Sequence, residues 1–210
     1  MDTVTMEIYG DYACPYVYNA AVWLDRVKRE YGDGLQITWK SFSLEQLNNR
    51  EGPDYKVWEQ EDIAAPRSLL SLVVGEAARG QDTAAFERFH LGLLMARHGG
   101  RWRIALNDLG AILDIAGEVG LDIELLKQAV EDPATVAQVG RDHTEAVEQH
   151  GVFGTPTFVF EVGGAAYLKT FIPPEAESLA FFENFAGMTA SSAYFGELKR
   201  PQPPWPKGAI

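Results

Sequence analysis

One cysteine occurs among the 210 residues, in the run Asp11-Tyr12-Ala13-Cys14-Pro15-Tyr16-Val17. The residues before it are patterned as a strand and those after it as a helix. A thiol at that junction faces the positive end of a helix dipole and a fan of unpaired backbone N–H groups. Both stabilise thiolate over thiol. Pro15 suits the first helical turn, where a missing N–H costs nothing and a helical φ is already set. The chemistry open to such a sulfur is attack on a disulfide or a small-molecule thiol adduct, giving a mixed disulfide. Three residues on, where a redox helix would carry its second cysteine, stands Val17. Resolution then needs an external thiol, such as glutathione or another low-molecular-weight carrier. The plain alternative is that a lone cysteine is a small buried hydrophobe; the strand–Cys-Pro–helix context argues against it.

Cys14 is expected to titrate below the reference value of about 8.5, since thiols at helix N-termini fall roughly between 3.5 and 7.5. The lowering should be moderate. No Lys, Arg or His lies in the ten residues before Cys14 or the eleven after it, and Asp11 opposes ionisation. Tyr16 is placed to cover the sulfur or stack on a flat substrate, and equally to be an ordinary surface aromatic. Asn19 lies in the same first turns, as a donor to a substrate carbonyl or a solvated helix residue. Arg97, His98, Arg101 and Arg103 form a basic knot around Gly99-Gly100 and Trp102. It reads either as a clamp for the carboxylates of a thiol cosubstrate or as cations gathered at a helix C-terminus. His143 and His150 are seven apart, with no third ligand to make a metal site. His90 reads as a satisfied helix histidine. No phosphate-binding glycine loop, metalloprotease helix or Ser-His-Asp spacing is present.

The elements that must position these residues follow from periodicity. Val4, Met6 and Ile8 alternate with polar neighbours as in a strand, Val17, Ala21, Leu24 and Val27 make a helical stripe, and Leu35, Ile37 and Trp39 alternate again. The opening is β–α–β, with short loops that imply a right-handed crossover and parallel strands. Residues 44–66 read as polar and irregular, and 67–150 as successive helices. Asp122 is the expected N-cap of one of them, and the last should end at Gly151. Strand patterning returns at Thr157–Phe160, then a two-residue turn at Gly163-Gly164, a partner strand from Ala165 to Phe171, and a helix opened by Pro173-Pro174. Past Gly187 the chain is tail-like and rich in proline. The divisions are therefore 1–43, a helical insertion over 44–150, 151–187 and a tail over 188–210. The fold class is α/β, a small mixed sheet with a helical insertion between its halves.

Composition narrows the function. The chain can bury a full core, and a formal net charge of −12 argues against nucleic acid and anionic membrane surfaces as partners. No stretch approaches the roughly 20 apolar residues of a membrane span. The opening Met1-Asp2-Thr3 lacks the basic and apolar regions of a secretory signal, and one cysteine allows no internal disulfide. Both suit a reducing cytosol, so a cytoplasmic location is expected.

The order of elements, Cys-Pro opening the first helix and Gly154-Thr155-Pro156-Thr157 leading into the third strand together resemble the DsbA family of the thioredoxin superfamily. Asp11 to Tyr16 is similar to that family's active-site stretch, and Gly151 to Phe158 to its cis-proline loop. Asn107 to Asp122 is similar to the insertion of the branch holding FrnE-like oxidoreductases, 2-hydroxychromene-2-carboxylate isomerases and kappa-class glutathione transferases. The resemblance spans about residues 4–187. It implies a thioredoxin-like sheet, Cys14 as catalytic residue, and Pro15, Tyr16, Thr155 and Pro156 as substrate-binding residues. It also implies a cis Thr155-Pro156 bond, with the Thr155 backbone turned toward an extended substrate. The departure from pattern is Val17. A dithiol enzyme releases its first sulfur through its second, and that cycle cannot close here. Isomerase and transferase members use serine where this chain has Cys14. Three functions stay open, in this order: a monothiol thiol–disulfide oxidoreductase, a glutathione-dependent transferase or isomerase, and a non-catalytic binding module. No tightly bound cofactor or metal is expected. The partners are a small-molecule thiol or disulfide and an extended peptide.

Overall fold

A computed structural model describes residues 3–190, 194 and 196–198. The Pro201–Pro206 run of the expected tail lies outside the described residues. The chain opens with strand β1 (Val4–Gly10), helix α1 (Pro15–Tyr31) and strand β2 (Leu35–Ser41). Helices α2 (Leu44–Leu47), α3 (Leu69–Arg79), α4 (Thr83–Leu94), α5 (Leu109–Glu118), α6 (Ile123–Glu131) and α7 (Pro133–His150) follow. Strands β3 (Thr157–Phe160) and β4 (Ala165–Tyr167) and helix α8 (Glu175–Ala190) complete it. The four strands form one sheet in the order β2-β1-β3-β4. β1 runs parallel to β2 and antiparallel to β3, with Ile8 opposite both Trp39 and Phe158.

This is the expected β–α–β and β–β–α pair joined by helices, and the register explains its stability. Met6, Ile8, Phe158 and Phe160 point to one face of the sheet. There they bury against Trp23, Leu24 and Val27 of α1 and Phe182 and Phe185 of α8. Tyr9 points to the other face, in a small cluster with Phe42, Ala146 of α7 and Val152. The helices of the insertion start where short polar side chains accept from the first free N–H groups. Asp82, Asp108, Asp122 and Asp132 each cap the helix that follows.

Four expectations are corrected. Residues 44–66 are not wholly irregular, because the Ser43 hydroxyl accepts from the Gln46 N–H and starts the short α2, and a 3₁₀ turn follows at Val57–Glu59. The β3–β4 connection is not a two-residue glycine turn. Glu161 still donates to the Thr5 carbonyl of β1, and the chain turns through the four residues 161–164, with a positive φ among them at Gly163 only. β4 ends at Tyr167 rather than Phe171, because the buried Asn19 amide takes the Thr170 carbonyl at 2.7 Å and Arg26 takes that of Pro173 at 2.7 Å. Those bonds draw the chain off the sheet edge onto α1. Finally, α8 continues past Gly187 to Ala190, with Thr189 buried and its hydroxyl donating to the Phe185 carbonyl.

Candidate active site

Cys14 sits at the N-cap of α1, with extended backbone (φ −89°, ψ 117°), and Pro15 opens the helix. The turn before it is built by Asp11. The Asp11 carbonyl accepts from the Cys14 N–H at 2.9 Å, and its side-chain Oδ1 accepts from the Ala13 N–H at 2.8 Å. The other carboxylate oxygen accepts from the Leu44 N–H at 2.8 Å and the Ser68 hydroxyl at 3.1 Å. One fully buried carboxylate thus ties the cysteine loop to the starts of α2 and α3. Burial pushes its pKa up, against the lowering effect of those three donors. Asp11→Ala strands three donors, each costing about 1–3 kcal/mol when left unpaired. It is expected to destabilise the fold by about 3 kcal/mol or more in urea unfolding, and Asp11→Asn by less. An Asp11→Ala midpoint equal to the parent's would show that the carboxylate does not hold the loop.

Facing the thiol is the loop between α7 and β3. Gly151, in the left-handed region at φ 63°, ends α7, and the Thr155–Pro156 peptide is cis. The Thr157 hydroxyl donates to the Gly154 carbonyl at 2.8 Å and closes the loop on itself. The Cys14 thiol donates to the Thr155 carbonyl at 3.4 Å. Cys14 and Thr155 are buried, and the Thr155 hydroxyl oxygen has no hydrogen-bond partner among the described residues. A Cβ at Gly154 would lie 3.0 Å from the Tyr167 ring, so a larger residue there would press on that ring. Tyr167, half-buried on β4, packs on exposed Phe153 with ring centroids 5.0 Å apart.

The expected lowering of the Cys14 pKa is overturned. The side chain is only 6% exposed, and burial is the largest influence on it, pushing the thiol up. The Thr155 side chain and the Val17 and Tyr16 N–H groups pull the other way, and Asp11 adds to the rise. A helix N-terminus helps a thiolate, but here the proline loop and the insertion helices remove the water that would solvate the charge. The packed site therefore favours the thiol over the thiolate relative to an exposed cysteine.

The other residues singled out in the sequence fall in different places. Tyr16 is half-buried beside the thiol, with the Lys169 ammonium over its ring at 5.2 Å. Asn19 is a fully buried clamp on Thr170, neither solvated nor turned to a substrate. Arg97 donates to the Ile104 carbonyl at 2.6 Å and so closes its own loop. Burial, Arg67 and Arg103 lower its pKa, while Arg101 and Arg103 are exposed. His98 of the same segment is buried, shares a 2.8 Å hydrogen bond with the Tyr12 carbonyl and stacks on Tyr18. His90 is buried against Trp39 and bonds the Tyr12 hydroxyl at 3.0 Å through Nδ1. Its Nε2 has no partner among the described residues. His143 is also buried, and its Nδ1 accepts from the Ser43 N–H at 3.2 Å. Glu7, Glu145 and His150 offer ligand atoms within 4.8 Å of one another. The Lys40 ammonium lies 2.9 Å from both carboxylates and already supplies the cation there. Lys169 and Tyr167 were not legible as site residues. Lys169, just past β4, lies over the rings of Tyr167 and of Tyr16, two residues from Cys14, and no local motif marks either residue.

A Cys-Pro helix start packed on a Gly-Thr-Pro loop, beside a four-stranded mixed sheet with inserted helices, defines a thioredoxin-like fold. The model of the DSBA-like thioredoxin domain matches residues 5–185, and the chain belongs to that family. Solved structures agree on the fold. The thioredoxin-like oxidoreductase of Silicibacter pomeroyi DSS-3 superposes with a TM-score of 0.56 at 21% identity, over 87% of this chain and 88% of that one. Reduced DsbA1 of Neisseria meningitidis gives 0.57 at 15% identity, over 88% and 83%. A 2-hydroxychromene-2-carboxylate isomerase gives 0.60 at 16%, over 87% and 94%. In sequence, the chain is 28% identical over 204 residues to the Mycobacterium tuberculosis (strain H37Rv) protein described as uncharacterized protein Rv2286c, covering 95% of this chain and 83% of that one. It is also 30% identical over 155 residues to a Na(+)/H(+) antiporter NhaA 1 of Mycobacterium sp. strain KMS. That match covers 71% of this chain but only 20% of the antiporter. No helix among the described residues is long and apolar enough to cross a membrane.

Proposed function

We propose that this protein is a thiol–disulfide oxidoreductase of monothiol type. Cys14 forms a mixed disulfide, and an external low-molecular-weight thiol, glutathione or a carrier like it, resolves it. The observation that carries the reading is the seating of the Cys14 sulfur 3.4 Å from the Thr155 carbonyl, with buried Val17 where a second sulfur would stand. The thiol proton leaves to solvent, and the thiolate attacks one sulfur of a disulfide. The new S–S bond forms as the old one breaks, and the departing sulfur takes the electron pair. The groups that would support the thiolate are already beside it: the Thr155 side chain and the Val17 and Tyr16 N–H groups. An extended peptide fits the same proline loop by backbone pairing, and the cytoplasm, rich in reduced thiols, is the location that suits such a cycle.

The test is intact mass after incubation with glutathione disulfide, followed against pH. One glutathione per chain is expected on the parent and none on Cys14→Ser. Because burial raises the thiol, the rate should keep climbing past the ordinary value of 9.0 as thiolate forms. Absence of any adduct at alkaline pH would sink the proposal. A second reading has its own support. A protonated, donating Cys14 can hold the thiolate of bound glutathione as a hydroxyl would, which is the transferase or isomerase role. Glutathione-dependent turnover that survives Cys14→Ser would favour it.

A further inference from the structure

The sequence shows no cation near Cys14, yet the fold brings one over the ring of Tyr16, two residues further on. Lys169 follows β4, and its ammonium lies over two rings at once, 5.2 Å from the centre of Tyr16 and 5.5 Å from that of Tyr167. Tyr16 belongs to the first turn of α1, two residues beyond Cys14. The backbone that carries the lysine is fixed next door, where the buried Asn19 amide holds the Thr170 carbonyl at 2.7 Å. Hydrogen bonding to Tyr167 raises the lysine's pKa, burial opposes this, and Tyr167, Tyr16 and Cys14 add to the rise. Lys169 itself is exposed. It is a charge held at the mouth of the site rather than one spent on a buried ion pair.

That placement matters in a chain of net charge −12, whose long-range field repels anions. We propose that Lys169 selects the small-molecule partner of Cys14. The partner is a disulfide or thiol bearing a carboxylate near its sulfur, which meets the Lys169 ammonium while the sulfur meets Cys14. The inference rests on the exchange reading above and names the substrate class for it. The two tyrosine rings hold the ammonium by cation–π attraction and leave its outward side for the carboxylate. The exchange step is unchanged: Cys14 gains the S–S bond, and the leaving thiolate carries away the electron pair of the broken one.

The experiment compares rates of Cys14 adduct formation with three symmetric disulfides: anionic 3,3′-dithiodipropionate, neutral 2-hydroxyethyl disulfide and cationic cystamine. Parent, Lys169→Met and Lys169→Arg are followed by intact mass at low and high salt. Each rate is divided by that for the neutral disulfide, so a general loss of reactivity or fold cancels. For an exposed charge, the anionic-to-neutral ratio should fall about three- to fivefold in Lys169→Met, with the cationic-to-neutral ratio rising. It should recover in Lys169→Arg and shrink in the parent at high salt, where exposed charges are screened. Adducts that form in all cases with ratios indifferent to Lys169 would overturn this inference alone. Failure of all three disulfides to add to the parent would overturn the exchange reading, and this inference with it.

Discussion

Val17→Cys is expected to convert the protein from one that stops at a mixed disulfide into one that, with glutathione disulfide as the oxidant, closes an internal disulfide and passes it on to dithiols. Val17 is buried one helical turn beyond Cys14, and its N–H donates to the Cys14 carbonyl at 3.1 Å. The introduced thiol therefore stands on the turn that follows the attacking sulfur. It would attack the mixed disulfide, release the partner as a thiol and leave the two protein sulfurs joined. Treated with glutathione disulfide as the oxidant, the parent should stop at the mixed disulfide until added glutathione releases it as glutathione disulfide, and Cys14→Ser should form none. Strongly oxidising Cys-x-x-Cys proteins owe their power to a stabilised reduced form, near about −120 mV, whereas thioredoxin lies near about −270 mV. Burial withholds that stabilisation from Cys14, so the new couple should fall toward the thioredoxin end. Insulin reduction with glutathione, compared across the parent and both variants, gives a second readout. Equal activity in the parent and Cys14→Ser would remove Cys14 from the mechanism and leave the binding-module reading.

The second large effect is on acid stability. Burial drives His90 down to about 3 and His143 down to about 4 from an ordinary 6.5. For such groups the unfolded chain binds the proton first. Their full contribution is present above 6.5, is lost as pH falls below it, and levels off once pH is under the folded value. Each histidine then removes about 1.4 kcal/mol per pH unit. Glu76 runs the other way, since burial pushes it up to about 7 despite Arg79. A carboxyl raised in the fold gains stability as pH falls, so the parent's own curve mixes both signs. The clean measurement is therefore a difference. His90→Asn keeps an acceptor for the Tyr12 hydroxyl and removes the titration. Relative to it, the parent should lose about 2 kcal/mol of unfolding free energy between pH 6.5 and about pH 5. Parallel pH profiles for the two proteins would show that His90 does not titrate on unfolding.

These outcomes separate what each level of structure decides. The sequence by itself determined the elements and their starts: alternation in β1 and β2, the helical stripe of α1, Pro15 at its first turn, Asp122 as a cap, Gly151 as a stop. Each depends on residues within a few positions of one another, where backbone geometry and side-chain periodicity act. It also placed Cys14 and Val17, and so the missing second sulfur. The proline loop was legible only through its likeness to a family, since nothing local brings Thr155 to Cys14. What the tertiary structure decided was the chemical character of the site. The thiol's pKa turns on desolvation by segments remote in sequence, the insertion helices and the proline loop, which outweighs the helix N-terminus that local reasoning relied on. Asn19, read from its neighbours as a surface residue, is instead a buried clamp on Thr170. The cation over Tyr16, two residues from Cys14, arrives on Lys169, through strand pairing and the bend that Asn19 enforces. Burial and charge are properties of the packed chain, and they act across distances that spacing along the sequence does not encode.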